Sequence, residues 1–186
     1  AFQKPGDIAV LNRDDARVAA IGESSGRVTF LKVLWFSTRP RTGNGCFVVR
    51  GKAVLRLDGK TTVLFPIAKI RLKGGHNIPN VLAACATAAT MGIAPQNIRR
   101  AALAFRGVPG RLEEIAHRVG VTYINDTTAT SPDAAIAALK TVTSKRKVIL
   151  LAGGADKLLH YEEMAQEIDR RVKHLVLFEG AASDKI

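Results

Sequence analysis

The sequence has few of the features that mark disulfide scaffolds, metal centres or membrane proteins. Its 186 residues include two cysteines, Cys46 and Cys85, so we predict two buried, reduced thiols and neither a disulfide framework nor a cysteine-based metal site. No apolar run approaches the roughly 20 residues of a membrane helix, and residues 1–5 lack the apolar core of a signal peptide. We expect a cytoplasmic globular protein with no membrane partner.

Acidic residues are scarce in the first part of the chain. Residues 1–110 hold 17 Lys and Arg against 5 Asp and Glu, whereas residues 111–186 hold 11 of each, so the formal net charge of +12 arises entirely in the first part. The change coincides with the turn-rich connector Gly107-Val108-Pro109-Gly110, where we place a domain boundary. The basic residues are not interleaved with aromatics, so a base-stacking nucleic-acid surface is not expected.

The first part of the chain is predicted to contain strands followed by helices. Asn12-Arg13-Asp14-Asp15 follows the first strand as a polar loop, a position where α/β proteins bind ligands. The later strand segments suggest an antiparallel meander. The predicted strand segments are Asp7–Asn12, Val28–Phe36 and Phe47–Phe65, the last broken by hairpin turns at Arg50-Gly51-Lys52 and Asp58-Gly59-Lys60.

Two helices are predicted next. Asn77–Met91 is alanine-rich and apolar on nearly every face, which indicates a mostly buried helix that ends at Gly92. Pro95 begins a second helix that extends to about residue 105. Asn77 and Asn80 share one face of the first turn. Their carboxamides either cap the helix or hydrogen-bond to the edge of a planar heterocycle.

The second part of the chain alternates strands with helices. Such an order predicts an α/β fold with a parallel, doubly wound sheet, and the sheet looks cut short because the chain stops after the third strand. The predicted elements are a pair of strands, Arg111–His117 and Val121–Asn125, around Val119-Gly120, then a helix from Pro132 to about Val142, a strand at Lys147–Ala152, a helix at about Tyr161–Val172 and a strand at His174–Phe178.

Two loops in this part are candidate anion sites. After Asn125, Ser131 suits the N-cap of the next helix and Pro132 its first position, so the loop ends at a helix N-terminus that attracts carboxylates or phosphates. Many ordinary βα loops have the same composition. Gly153-Gly154-Ala155-Asp156-Lys157 matches neither a Walker A nor a dinucleotide motif. Its lysine either binds a carboxylate or phosphate as a point charge or is solvated.

Five short motifs occur in a fixed order along the chain. Together they resemble the Mur ligases of peptidoglycan synthesis, and Asn-Asp-x-x-Ala-Thr-x-Pro-Asp-Ala resembles the branch that adds D-glutamate. The resemblance implies that residues 1–110 are the C-terminal part of a central ATP-binding domain and residues 111–186 the N-terminal part of a C-terminal Rossmann-like domain. The motifs are Asn12-x-Asp14-Asp15, Gly75-His76-Asn77-x-x-Asn80, Gly110-Arg111-Leu112-Glu113, Asn125-Asp126-Thr127-Thr128-Ala129-Thr130 and Gly153-Gly154-x-Asp156-Lys157.

The same resemblance implies a reaction and a set of contacts. The expected activity is amide formation between UDP-N-acetylmuramoyl-L-alanine and D-glutamate through an acyl phosphate, with ATP and Mg²⁺ as cofactors. No residue of this chain is expected to be catalytic or to bind metal. The implied contacts are Asn77 and Asn80 with adenine, Arg111 with the nucleotide, Asp126 with the ribose hydroxyls, and Thr130 and Lys157 with D-glutamate.

The chain also departs from the family pattern. Thr128 stands where many relatives have lysine, so a cationic contact near the acyl phosphate or D-glutamate is absent or supplied by another residue. The family's Gly-rich phosphate loop, its UDP-binding domain and its carbamylated lysine are not found in residues 1–186. We therefore expect an internal piece of a ligase that does not catalyse the complete reaction alone. The alternative is a basic, noncatalytic α/β module that binds nucleotides or nucleic acid.

Overall fold

Two compact units make up the chain. In the computed structural model, the described residues are 4, 6–28, 32–142 and 148–186. One unit comprises residues 1–72 and 76–106, and the other comprises residues 73–75 and 107–186. Both units combine helices with strands, which confirms the predicted α/β class. Within the described ranges, no helix is both long and apolar enough to cross a membrane.

The first unit is a five-stranded mixed sheet with helices. The strands lie in the order β1-β2-β3-β4-β5, parallel from β1 to β3 and antiparallel from β3 to β5. The elements are β1 (Ile8–Asn12), α1 (Ala16–Val28), β2 (Lys32–Ser37), β3 (Gly45–Val49), β4 (Lys52–Leu57), β5 (Lys60–Pro66), a 3₁₀ turn (Ile67–Lys69), α2 (Asn77–Thr90) and α3 (Pro95–Ala104).

The predicted antiparallel meander is confirmed for β3–β5 and wrong for β2. Strand β2 runs parallel to β1 because helix α1 carries the chain back across the sheet between them. Helix α1 was not predicted, since Gly22 and Ser24 lower its helix propensity. Val28, predicted to be in a strand, ends this helix, and residues 29–31 of that prediction lie outside the described ranges.

Three hairpins turn through two residues that both have positive φ. This is the type I′ geometry, whose twist matches that of the strands it joins. The two turns predicted in the first unit are therefore confirmed, as is the turn that joins the first two strands of the second unit. The residue pairs are Arg50-Gly51, Asp58-Gly59 and Val119-Gly120.

The core of the first unit lies between the sheet and α2. Leu82 and Ala86 of α2 are fully buried, and the helix ends before Gly92, at φ 76°, as predicted. Cys46 and Cys85 belong to the same core and are free thiols, as expected. The hydrogen bond with Cys85, together with burial, raises the pKa of Cys46, so this thiol stays protonated.

The second unit contains two separate strand pairs. Strands β6 and β7 form an antiparallel hairpin, and β8 and β9 are parallel. The elements are β6 (Glu113–Arg118), β7 (Val121–Asn125), α4 (Pro132–Val142), β8 (Val148–Gly153), α5 (Glu162–Arg171), β9 (Val172–Phe178) and a 3₁₀ turn (Ser183–Lys185).

The predicted parallel sheet is confirmed for β8 and β9, which are joined through α5. It is wrong for β7, whose backbone is paired with β6 in the described strands and not with β8. The two-residue turn before β7 supplies an antiparallel partner at once, so this pairing requires little loop-closure entropy. Lys147, the predicted start of β8, lies outside the described residues.

Candidate functional site

Two segments of the second unit meet at the open end of the β6–β7 hairpin. Glu113 begins β6 and pairs with Asn125, the last residue of β7. Because the strands are antiparallel, the segment before β6 and the loop after β7 leave the sheet side by side. The sequence motifs around Arg111 and Asp126 are thereby neighbours in space.

Three hydrogen bonds join these segments. The Gly110 carbonyl accepts from the Thr128 backbone N–H at 3.0 Å and from the Thr128 hydroxyl at 2.9 Å. The Leu112 N–H donates to Asp126 Oδ1 at 2.9 Å. Arg111 stands between the two anchored residues, and its side chain is exposed. The backbone from which Arg111 projects is therefore held on both sides by the loop after β7.

Backbone conformation explains the residues that flank Arg111. Gly110 has φ 74°, and a Cβ there would lie 3.1 Å from Thr127 Oγ1 and 3.3 Å from Thr128 Cγ2, so glycine suits both the conformation and the space. Leu112 also has positive φ, at 47°, and its side chain is buried. Sequence reasoning singled out this motif but did not predict its bonds to the other loop, because they join residues 14 to 18 positions apart.

Asp126 uses one carboxylate oxygen within the fold. Oδ1 accepts from Leu112, whereas Oδ2 has no hydrogen bond within the part of the chain that the structure describes. The loop is further shaped by the Asp126 carbonyl, which accepts from Ala129 N–H at 2.8 Å, and by Asn125 Oδ1, which accepts from Thr127 N–H at 3.2 Å. A half-buried carboxylate with one available oxygen is suited to accept hydrogen bonds from hydroxyl groups.

The loop ends at a capped helix N-terminus. Ser131 Oγ accepts from Ala134 N–H at 3.4 Å, and its carbonyl accepts from Ala135 N–H at 3.1 Å, which confirms Ser131 as the N-cap of α4. Thr130, the residue before the cap, is exposed. Its hydroxyl thus lies near the positive end of the helix dipole.

The glycine-rich loop after β8 is organised by Asp156. Its Oδ1 accepts from Leu158 N–H at 2.9 Å and from the Tyr161 hydroxyl at 3.4 Å, and its Oδ2 accepts from Lys185 Nζ at 2.5 Å. The Lys185 ammonium lowers the pKa of the Asp156 carboxyl. Lys157 is exposed, and in the described residues the ion pair of Asp156 is with Lys185 and not with Lys157.

The two asparagines of the first unit lie together at the start of α2. Asn80 Nδ2 donates to Asn77 Oδ1 at 3.3 Å, which confirms that the carboxamides share one face. The N-cap residue is His76, whose side chain makes no capping hydrogen bond, so neither asparagine occupies the N-cap. Asn77 is buried and Asn80 is exposed.

The polar loop after β1 is occupied by structural contacts. Asp14 accepts from the Ser37 hydroxyl at 2.6 Å and from the backbone and hydroxyl of Thr38 at 2.7 and 2.8 Å, which ties the ends of β1 and β2 together. Burial raises the pKa of Asp14, but these hydrogen bonds outweigh it and the net pKa is lowered. Asp15 accepts from Arg17 and Val18 N–H at 2.9 Å and caps α1.

Comparison with known proteins accounts for the motif order. Residues 110–186 match the family described as Mur ligase, glutamate ligase domain. The chain is 40% identical to a UDP-N-acetylmuramoylalanine--D-glutamate ligase from Roseiflexus sp. (strain RS-1), over 99% of this chain and 40% of that protein. Over nearly its whole length, the chain is similar to Mur ligases. A ligase of the same name from Pelotomaculum thermopropionicum is 37% identical over 98% of this chain and 39% of its own length.

The solved structures of other ligases share the fold. The UDP-N-acetylmuramoylalanyl-D-glutamyl-2,6-diaminopimelate--D-alanyl-D-alanyl ligase of Acinetobacter baumannii has a TM-score of 0.68 at 19% identity, over 95% of this chain and 39% of its own. Folylpolyglutamate synthetase from Lactobacillus casei has a TM-score of 0.58 at 18% identity, over 100% of this chain and 50% of its own. The chain spans about 40% of the length of the curated relatives that it matches.

Proposed function

We propose that the chain is part of an ATP-dependent ligase that adds D-glutamate to UDP-N-acetylmuramoyl-L-alanine. The observation that carries the proposal is similarity to named D-glutamate ligases over 99% of the chain, through both compact units. In the proposed reaction, the substrate carboxylate takes the γ-phosphoryl group of ATP and releases ADP. The amine of D-glutamate then attacks the acyl carbon, and phosphate leaves as the amide forms.

Residues 1–110 are proposed to supply the adenine contacts. The bond from Asn80 to Asn77 fixes the two amides on one face of α2, and the Asn80 carbonyl oxygen remains able to accept from an adenine amino group. Fixed carboxamides favour recognition of a purine edge, because little side-chain entropy is lost on binding. The proposal therefore assigns Asn77 and Asn80 to adenine.

Residues 111–186 are proposed to bind the rest of the nucleotide and D-glutamate. The available Oδ2 of Asp126 supports a contact with the ribose hydroxyls, and the anchored backbone at Arg111 supports a contact with the nucleotide. An exposed hydroxyl at Thr130 and an exposed ammonium at Lys157 suit a carboxylate. Because Lys185 neutralises Asp156, the charge of Lys157 is left for a ligand.

Magnesium is proposed to accompany ATP. Within the described ranges, no group of three or more His, Cys, Asp or Glu side chains could hold a metal ion, so these residues do not form a metal centre by themselves. We assign no residue of this chain to magnesium. Because the reaction consumes ATP, we propose that the enzyme acts in the cytoplasm.

A chimaeric enzyme tests the proposed reaction. Residues 1–186 replace the aligned segment of the Roseiflexus ligase, and phosphate release is measured with UDP-N-acetylmuramoyl-L-alanine and a panel of amino acids. We expect release with D-glutamate, and a higher KM for D-glutamate after Lys157→Ala, with the unaltered Roseiflexus ligase as the control. Release with a different amino acid and none with D-glutamate would contradict the assignment.

A further inference from the structure

We infer that Thr128 is a positioning residue whose hydroxyl fixes the backbone on which Arg111 is presented to the nucleotide. The inference rests on the nucleotide contact proposed for Arg111, and it assigns to Thr128 a role within the fold instead of a contact with substrate.

The hydrogen-bond pattern carries the inference. Both donors of Thr128, the backbone N–H and the hydroxyl, converge on the single carbonyl of Gly110 at 3.0 and 2.9 Å. Two residues after Gly110, the Leu112 N–H donates to Asp126 Oδ1 at 2.9 Å. The two anchors flank Arg111, so rotation of its peptide groups would break one of them.

The segment has positive φ on either side of Arg111, and local bonds support the anchors: Gly110 N–H donates to Glu113 Oε2 at 2.8 Å, and Arg111 N–H donates to the Val108 carbonyl at 3.3 Å. Gly110 and Leu112 have φ of 74° and 47°, and the Cβ of a leucine disfavours this region. Without its bonds to the loop after β7, the segment is expected to relax toward the ordinary extended conformation. Arg111 would then point in other directions for part of the time.

The short hydroxyl side chain at position 128 explains why this residue bonds to the backbone. The Thr128 hydroxyl sits one bond from Cβ, so it reaches the carbonyl that its own N–H also contacts. Here the hydroxyl proton is donated to Gly110, so it is not offered to a ligand. Thr128 thus acts on the backbone, and the exposed guanidinium of Arg111 is the group presented to the nucleotide.

Three single variants of residues 1–186 test the inference by amide hydrogen exchange and NMR. Thr128→Val removes the hydroxyl but keeps the side-chain shape and the backbone N–H. Thr128→Ser keeps the hydroxyl. Thr141→Val is the matched control, because the Thr141 hydroxyl also donates to a backbone carbonyl of the second unit, that of Ala137, at 2.8 Å. The readouts are the exchange rates of the amides at positions 112 and 128, the Arg111 Nε–Hε signal, and its shift on titration with ATP.

We expect Thr128→Val to raise exchange at both amides about fivefold, the effect of losing one ordinary hydrogen bond. The Arg111 signal should show increased mobility, and the apparent Kd for ATP should rise about threefold through lost preorganisation. Thr128→Ser and Thr141→Val should both match the unaltered chain at these positions. Unchanged exchange and Arg111 mobility in Thr128→Val, or loss of protection in Thr128→Ser, would overturn the inference.

Arg111→Ala separates this inference from the proposed function. If Arg111→Ala leaves the ATP titration unchanged, the nucleotide role of Arg111 is wrong, and with it the presentation of Arg111 to the nucleotide. The exchange data on Thr128→Val still decide whether the hydroxyl holds the segment. If Arg111→Ala weakens ATP binding and Thr128→Val does so by a smaller factor, both parts are supported.

Discussion

Glu167 is a buried carboxylate that joins helices α4 and α5. Its oxygens accept from Arg171 Nε at 2.5 Å and from Arg170 Nη1 at 3.4 Å, and Lys140 Nζ lies 3.8 Å away. The hydrogen bond from Arg171 lowers the pKa of Glu167, and the charges of Lys140 and Arg170 act in the same direction. The charged form therefore stabilises the folded second unit.

Glu167→Gln should lower the urea midpoint of unfolding at neutral pH, and the difference should vanish in acid. Because the pKa of Glu167 is lower in the folded than in the unfolded state, its carboxylate stabilises the fold at pH values above the unfolded pKa. This stability is lost as pH falls through the native pKa. Urea titrations at several pH values, from neutral down to below the native pKa of Glu167, measure the effect. Glu163→Gln on the exposed face of α5 is the control, and an equal loss in that variant at neutral pH would contradict the role of the ion pairs.

Gly45 is required by the close approach of β2 and β3. It has φ 154°, and a Cβ there would lie 2.0 Å from the Trp35 carbonyl oxygen, which is part of the sheet and cannot move aside. Gly43, two residues earlier, has φ 84°, but a Cβ at that position would have no atom within 4 Å. Substitutions at Gly45 and Gly43 therefore distinguish the effect of a steric clash from the effect of backbone strain alone.

Gly45→Ala should destabilise the first unit by about 3 kcal/mol, and Gly43→Ala by about 1 kcal/mol. The larger loss arises because the parallel ladder between β2 and β3 must open to admit the methyl group. Chemical denaturation with tryptophan fluorescence is a direct measurement, since Trp35 lies in β2 itself. Equal losses in the two variants would show that the clash is relieved without cost.

At the scale of elements, α4 depends on the cap that ends the Asp126 loop. Ser131→Ala should reduce stability by about 1 kcal/mol because the Ala134 N–H loses its acceptor, and Ser131→Asp should retain most of it. Thermal unfolding followed by circular dichroism gives the comparison. An unchanged melting temperature in Ser131→Ala would contradict this prediction and would mean that water fully replaces the capping hydroxyl.

Helices and strands also determine which motif residues can act on ligands. Asp14 and Asp15 are both engaged, the first with the end of β2 and the second with the N-terminus of α1. Asp126, by contrast, keeps one oxygen available in the described structure. Polar clusters that look alike in sequence therefore differ in their contacts, because one of them ties together the ends of two parallel strands.

At the scale of the whole molecule, the proposed adenine contacts and the proposed ribose contact belong to different compact units. Phosphate contacts usually supply the charge-assisted part of nucleotide affinity, and residues 1–186 contain no Gly-x-Gly-Lys-Ser/Thr loop. We therefore expect residues 1–186 alone to bind ATP no better than about millimolar, or roughly 4 kcal/mol, with little effect of added magnesium. Calorimetry with and without magnesium measures this.

The control for this prediction is Asn80→Ala, which removes the proposed adenine contact and should weaken the residual binding. Micromolar affinity that magnesium strengthens and Asn80→Ala abolishes would contradict the prediction. Such a result would mean that the basic residues of the first unit complete a phosphate site by themselves.

Local chemistry determined much of the fold in advance. The predicted hairpin turns, the Ser131 cap and helix α2, which ends before Gly92, are all found, because turn and cap preferences act between residues a few positions apart. The motif order likewise identified the family before any fold was known. These signals depend on neighbours in the sequence, so they are readable from it.

Tertiary structure alone decided strand direction and the use of each polar group. The parallel run of β2 depends on an unpredicted helix, and β7 lies outside the parallel pair of β8 and β9, although the alternation of strands and helices predicted one sheet. The bonds from Thr128 to Gly110 and from Leu112 to Asp126 join residues that only the hairpin brings together. Contacts of this kind depend on the direction and register of whole strands, and local residue preferences do not encode them.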